Sequence, residues 1–220
     1  MHVAEIWRYP VKSMAGERLE RAYVDYIGID GDRLVHVENA RGLLITARTH
    51  PLLLGHRGTL DEEGEPLVDG ARWDDSSSQG KVVGIVGAGA RLVRDEDVRC
   101  FDILPLLVAT DGAISAFGHD GRRLRPNIIV GGVEGLAERD WPGHTLRIGE
   151  TQIGVRDLRG RCVMTTYDPD TLEQDRGVLR GIVQRFEGKR ALNCFVIWPG
   201  EIRVGDAAEI QKSRNPAYHS

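Results

Sequence analysis

Residues 3–46 read VAEIWRYPVKSMAGERLERAYVDYIGIDGDRLVHVENARGLLIT, and this stretch decides the fold class. Val3 to Tyr9 alternates as a strand does and stops at Pro10, which lacks the N–H that a ladder requires. Leu19 to Tyr26 reads as a second strand. Tyr26-Ile27-Gly28-Ile29-Asp30-Gly31-Asp32 supplies turn chemistry, and Arg33 to Val37 reads as the strand beyond it. Asn39-Ala40-Arg41-Gly42 is a hairpin turn into Leu43 to Thr46. Strands this closely spaced predict an antiparallel meander or barrel.

Composition agrees. Glycine accounts for 27 of the 220 residues, well above a background of roughly 7%, which favours turns and short strands over a helical bundle. Further along, Asp61 to Gly64 and Asp74 to Gly80 read as polar loops, and Lys81 to Val86 as a strand. Gly87 and Gly89 begin a G-x-G pattern. Leu92 stands where a third glycine would be needed and no apolar helix follows, so the segment reads as strand-turn-strand and not as a dinucleotide fingerprint. Helical periodicity is clear once, where Val178, Leu179, Ile182, Val183 and Phe186 share a face ending at Gly188. Leu136 to Arg139 reads as a further helical turn. Cys194 to Trp198, Pro199-Gly200 and Glu201 to Val204 read as a hairpin, and the tail from Lys212 is polar. The fold class is α+β, mostly β.

Charge and cysteine content exclude several functions. A net charge of −4 gives no basic footprint for nucleic acid, and no apolar run is long enough to span a membrane. Met1-His2-Val3-Ala4-Glu5 has no signal-peptide character. Three distant cysteines, Cys100, Cys162 and Cys194, build no disulfide framework and suit a reducing cytoplasm. CxxC, HxxxH and G-x-S-x-G are all absent, which argues against zinc ribbons, iron–sulfur clusters, histidine metal sites and serine hydrolases.

What remains is a set of anion clamps and one thiol. Lys12 and Ser13 follow a strand end, where an ammonium and a hydroxyl suit a phosphate. Arg33 follows an acidic turn. In Arg122-Arg123-Leu124-Arg125-Pro126-Asn127 the proline pushes Arg125 towards extended geometry and sets its guanidinium at a strand mouth. In Gly160-Arg161-Cys162-Val163-Met164-Thr165-Thr166 a thiol follows a cation and precedes two hydroxyls, the surroundings of a reactive thiolate. Asp168, in Asp168-Pro169-Asp170-Thr171, is a candidate for proton delivery.

Tyr9-Pro10-Val11-Lys12-Ser13, Gly31-Asp32-Arg33, Thr46-Ala47-Arg48, Arg125-Pro126-Asn127, Arg161-Cys162 with Thr165-Thr166, Asp168-Pro169-Asp170-Thr171 and Val204-Gly205-Asp206 occur in one register. Together they resemble the MOSC family, and within it the mitochondrial amidoxime reducing component and its bacterial relatives. The resemblance implies an N-terminal β-barrel module over residues 1–95, packed on a MOSC β-barrel with peripheral helices over 96–212, and a polar tail at 213–220. It also implies a molybdenum cofactor (molybdopterin with Mo) between the modules. Cys162 matches the molybdenum ligand, and Lys12, Ser13 and Arg33 match the holders of the phosphate end. Arg125 matches a pterin contact with Asn127 beside it, Thr110 matches a hydroxyl contact, and Arg161 contributes through its backbone. Ala109, Gly160, Leu192-Asn193-Cys194 and Asp170-Thr171-Leu172 depart from the family pattern, which bears on pocket polarity and substrate range.

The implied activity is reduction of small N-hydroxylated or N-oxide compounds, with electrons from a separate electron-transfer protein, since the chain carries no flavin or cluster motif. The rival reading is a non-redox module that carries cofactor, or sulfur as a Cys162 persulfide. A third is the same fold holding another anionic ligand.

Overall fold

The computed structural model describes residues 1–94 and 100–212. The expected module boundary at 95/96 and the tail at 213–220 lie outside the described residues. An eight-stranded sheet dominates. Its order is Ala208–Lys212, His144–Ile148, Thr151–Gly160, Lys189–Trp198, Leu106–Thr110, Ile128–Gly131, His2–Arg8 and Glu17–Leu19. Every neighbouring pair is antiparallel except Leu106–Thr110 with Ile128–Gly131. A parallel pair needs a crossover, and the short helix Asp111–Phe117 lies within it. The first strand of the chain therefore sits beside one from the second half. That strand also meets the turn that leads into Ala208–Lys212 at the sheet's far edge: Val3 N–H donates to Asp206 O at 2.9 Å and Gly205 N–H to Val3 O at 2.8 Å. The ladder forms a curled sheet and not a closed barrel among the described residues.

Three three-stranded sheets surround it. Arg91–Arg94, Val35–Glu38 and Leu44–Ile45 form one. The second contains Gly200–Arg203, Arg21–Asp25 and Gly28–Ile29, and the third Gly58–Leu60, Pro66–Val68 and Ala71–Arg72. Two cores result. One fills the large sheet around Ile6, Val108, Ile128, Leu146, Ile153 and Leu192. The other joins Val11, Met14, Val35, Leu53, Val82 and Leu92.

The opening meander is present with changes. The strand expected over 19–26 breaks at Glu20, giving one edge to the large sheet and one strand to a small sheet. The 39–42 turn forms as expected: Asn39 Oδ1 accepts from Arg41 N and Leu43 N, and Gly42 takes φ +72°. The expected hairpin at 194–204 does not form. Lys189–Trp198 pairs within the large sheet, whereas Gly200–Arg203 turns away to pair with Arg21–Asp25. Alternation identifies strands, but not their partners.

Residues 74–86 are the clearest departure. The expected loop and strand form a single helix, α1 (Ser76–Val86), capped by Asp75, whose carboxylate accepts from Ser77 N at 2.7 Å. Serine, glycine and valine are poor helix formers. Burial of Val82 in the second core and the Asp75 cap outweigh them. The second helix, α2 (Asp111–Phe117), is too short for periodicity to reveal. The third, α3 (Arg176–Phe186), buries Val178, Ile182 and Phe186 as expected, but leaves Leu179 half-buried and Val183 exposed. The turn expected at 136–139 is a 3-10 turn, Ala137–Asp140. No described helix is long and apolar enough to cross a membrane.

Two glycines should respond oppositely to alanine. A Cβ on Gly112 in α2 would lie 2.2 Å from the Val133 carbonyl oxygen and 2.7 Å from that of Gly135. Gly112→Ala is therefore expected to lose about 1–3 kcal/mol by overpacking against backbone. Gly84 in α1 is exposed and has nothing within 4 Å of its Cβ position, so Gly84→Ala should gain about 0.5–1 kcal/mol. Urea unfolding midpoints of the two variants check both signs.

Candidate functional site

A cavity of about 240 Å³ opens where the second core meets the large sheet. Six cations line it: Lys12, Arg33, Arg48, Arg125, Arg159 and Arg161. Asp102 is the one carboxylate and Cys162 the one thiol among the described lining residues.

The chain reaches this arrangement through strained backbone. Ser13, Arg33 and Arg125 hold φ at 71°, 52° and 55°, the left-handed region that costs a non-glycine residue about 1–2 kcal/mol. Such conformations persist only where the surroundings fix them. Ser13 is held because its Oγ accepts from Ala47 N at 3.0 Å, which leaves its hydroxyl proton free to donate. Arg33 is held by its N–H to Tyr9 O at 2.8 Å and by a close ion pair with Asp32. Asp32 also accepts from Tyr9 N at 2.6 Å and from Asn127 Nδ2 at 3.2 Å. Arg125 stacks over the Tyr9 ring, 4.3 Å from its centroid, and Arg33 approaches the same ring at 5.4 Å. Two guanidiniums flanking one aromatic face share a favourable cation–π contact. Burial pushes the Tyr9 hydroxyl up to about 12 against the pull of both arginines, so the ring stays neutral. The predicted extended geometry at Arg125 is replaced by this left-handed turn, which closes the 3-10 turn Gly121–Leu124.

On the opposite wall, Cys162 follows the long strand Thr151–Gly160 and precedes the 3-10 turn Val163–Thr166. It is half-buried. The two threonines expected to donate to its sulfur do not: Thr165 Oγ1 donates to Cys162 O at 2.9 Å and Thr166 Oγ1 to Val163 O at 2.7 Å. Arg48 takes that place. Arg48 is raised above its ordinary value because its interactions with Cys162 and Asp102 overcome burial. Arg161 donates to Leu124 O at 2.7 Å, while its Nε is buried without a partner. Burial lowers Arg161 to about 10, and the neighbouring Cys162 resists the shift.

Asp102 joins the two walls. Its Oδ1 accepts from Lys12 Nζ at 2.7 Å, and its Oδ2 accepts from Arg48 at 2.6 Å and Arg159 at 3.0 Å. Burial works to raise this carboxyl, but the Lys12 hydrogen bond and three cationic charges hold it low. Lys12 also donates to Cys100 O at 2.7 Å. Burial lowers the ammonium below its ordinary value, with Asp102 opposing.

Of the residues singled out from sequence, Lys12, Ser13, Arg33, Arg125, Asn127, Arg161 and Cys162 meet at this cavity. Asn127 is also a strut, accepting from Leu107 N at 3.1 Å and donating to Trp7 O at 3.3 Å. Thr110 and Asp168 do not line the cavity. Thr110 is buried at the start of α2, accepts from Ala113 N, and donates to Glu138 Oε2 at 2.8 Å. Asp168 caps its own turn through Thr171 N and Asp170 N and pairs with Arg123 at 2.9 Å. Those backbone bonds, with Arg123, lower its carboxyl, which suits a turn anchor and not a proton donor. Cys194 is buried in the sheet core with its thiol pushed up by burial.

Asp102 and Arg159 escaped the sequence reading, and Arg48 entered it only within the Thr46-Ala47-Arg48 motif, with no role assigned. Arg159 and Arg161 stand two apart at a strand end, a spacing that puts both on one side, and that signal was available. Asp102 carries no motif.

Because Lys12 and Arg161 both sit below their ordinary values, anion affinity should decline as pH rises towards 10. Titration calorimetry with inorganic sulfate, a dianion at both pH values, at pH 7.5 and pH 10 checks this, with weaker binding expected at the higher pH.

Family models match both halves of the chain: a MOSC N-terminal beta barrel domain over residues 1–82 and a MOSC domain over 114–209. The human mitochondrial amidoxime-reducing component 1 is 24% identical, over 93% of this chain and 81% of its own length. Component 2 from Macaca fascicularis is 25% identical, over 79% of this chain and 69% of its own. Among solved structures, the YUAD protein from Bacillus subtilis superposes with a TM-score of 0.53 at 14% identity, covering 97% of this chain and 96% of that one, a likeness of fold. With both modules matched in order, the chain belongs to the MOSC family.

Proposed function

We propose that this chain binds the molybdenum cofactor in the cavity described above and reduces N-hydroxylated or N-oxide compounds. One observation carries the reading: cations and a single accessible thiol, far apart in sequence, converge on one cavity. The names of the amidoxime-reducing relatives favour the reductase over a bare sulfur carrier, which has no need of a phosphate grip.

The residues suit the group. The N-terminal module, residues 1–95, offers Lys12, the free proton of Ser13 Oγ and Arg33 to a phosphate. Arg125, steadied on Tyr9, offers a flat cation beside a pterin ring. The unpartnered Nε of Arg161 gives a buried donor for an electron-rich atom. In the second module, residues 96–212, Cys162 provides a soft thiolate ligand. No group of three or more histidine, cysteine or acidic side chains able to hold a metal occurs among the described residues, so further ligands to molybdenum would come from the pterin dithiolene.

When bound, this cofactor supplies the two-electron chemistry by which an N–O bond is cleaved, with two protons, to amine and water. The chain itself orients that centre and sets its electrostatics through Arg48, Arg159 and Arg161. A separate electron-transfer protein supplies the electrons.

Elemental analysis on protein made in a cofactor-competent host tests this. Stoichiometric molybdenum is expected in the wild type, with loss or weakening in Cys162→Ala. Wild type without molybdenum would sink the reading. With metal present, turnover of an N-hydroxylated compound under an artificial reductant separates enzyme from carrier, and a sulfur adduct on Cys162 by mass spectrometry would favour the carrier.

A further inference from the structure

Asp102 stands where an incoming anion would have to bind. Its two oxygens engage Lys12, Arg48 and Arg159, three of the six cations lining the cavity. The side chain is 30% exposed, so it faces the open cavity and is not sealed within protein. It lies in an irregular segment without helix or strand. A carboxylate tethered to the chain has a high effective concentration at its own cations, and any free anion competes with it.

This competition depends on charge. A singly charged anion that takes the donors of Asp102 exchanges one negative charge for another and gains little. A phosphate monoester dianion brings a second charge and further acceptor oxygens, which Ser13 and Arg33 on the same wall can meet. We propose that Asp102 is an internal competitor that sets a charge threshold on the cavity, admitting phosphate monoester dianions and excluding monoanions such as chloride and carboxylates. This rests on the reading of the cavity as an anion seat, and needs no molybdenum. A cluster of cations without such a competitor would fill with the commonest small anions around it. With it, the seat is kept for a dianionic phosphate end.

The test uses two ligands of one shape. Phenyl phosphate at pH 8 is a dianion, its second ionisation lying near 6, whereas benzenesulfonate is a monoanion on the same ring. Calorimetric titration of the full chain at low ionic strength should show phenyl phosphate binding to wild type and benzenesulfonate not binding measurably. In Asp102→Asn, phenyl phosphate should tighten by about tenfold or more, as expected when a nearby like charge is removed, and benzenesulfonate should become measurable. Asp102→Glu should behave as wild type, and Asp102→Ser should repeat the asparagine result, which guards against a local folding defect in one variant.

If Asp102 only positions its arginines, both neutral variants bind phenyl phosphate more weakly or unchanged, and the proposal is overturned. Wild type that binds neither ligand overturns it as well. Molybdenum-free wild type would instead defeat the reductase reading and leave a positive result here intact.

Discussion

Like-charge repulsion is the constraint on which the site depends. Bringing Lys12, Arg33, Arg48, Arg125, Arg159 and Arg161 to one cavity is unfavourable unless each finds compensation, because buried cations lose hydration and repel one another. The surrounding structure supplies that compensation piece by piece. Asp32 takes Arg33, and Asp102 takes Lys12, Arg48 and Arg159. The Tyr9 ring takes Arg125 and the Leu124 carbonyl takes Arg161. Burial still lowers Lys12, Arg125, Arg159 and Arg161 below their ordinary values, whereas Arg48, beside Cys162 and Asp102, is raised. The cavity is a store of positive charge held together by the fold.

The architecture follows from that need. Placing His2–Arg8 beside Ile128–Gly131 carries the Lys12–Ser13 turn to the Arg125 turn and sets Asn127 between Trp7, Asp32 and Leu107. Three left-handed residues, Ser13, Arg33 and Arg125, then aim side chains inward. Each conformation is costly alone and is tied down by backbone bonds or stacking, so local strain is set against the packing of the larger core. Evolution of such a site trades stability for a prepared geometry.

Much of this was legible in the sequence, and the failures have physical causes. Strand alternation, the Asn39–Gly42 turn and helix α3 follow from local rules and are present, though the buried face of α3 is narrower than expected and leaves Val183 exposed. Helix α1 was hidden because Ser76, Ser77, Ser78 and its valines read as loop and strand, while the Asp75 cap and the burial of Val82 act only in three dimensions. Thr165 and Thr166 look like donors to a thiolate, yet their hydroxyls satisfy backbone carbonyls within one turn, a competition that short polar side chains commonly win. The Cys162 motif and the clamps at Lys12, Arg33 and Arg125 were legible because anion chemistry restricts residue types. Asp102 was not, since a lone aspartate in an irregular segment acquires its role only from partners 90 and 57 positions away in sequence.

The same charge distribution bears on proton supply. Reductive cleavage of an N–O bond consumes two protons, and on the proposed reading these have to reach the thiol wall. Arginines are poor donors at neutral pH, and Asp102, held low by three cations, is ionised. Asp168 lies outside the cavity and is bonded to its own turn. Lys12 can release a proton more readily than an ordinary lysine, but the proposed reading assigns it to the phosphate end. No described lining side chain is therefore suited to act as the dedicated acid. The mouth is open to solvent: the Arg48 side chain is 43% exposed and that of Asp102 30%. On the proposed reading the protons would therefore come from solvent entering at that mouth, which leaves the protein's charges to hold anions.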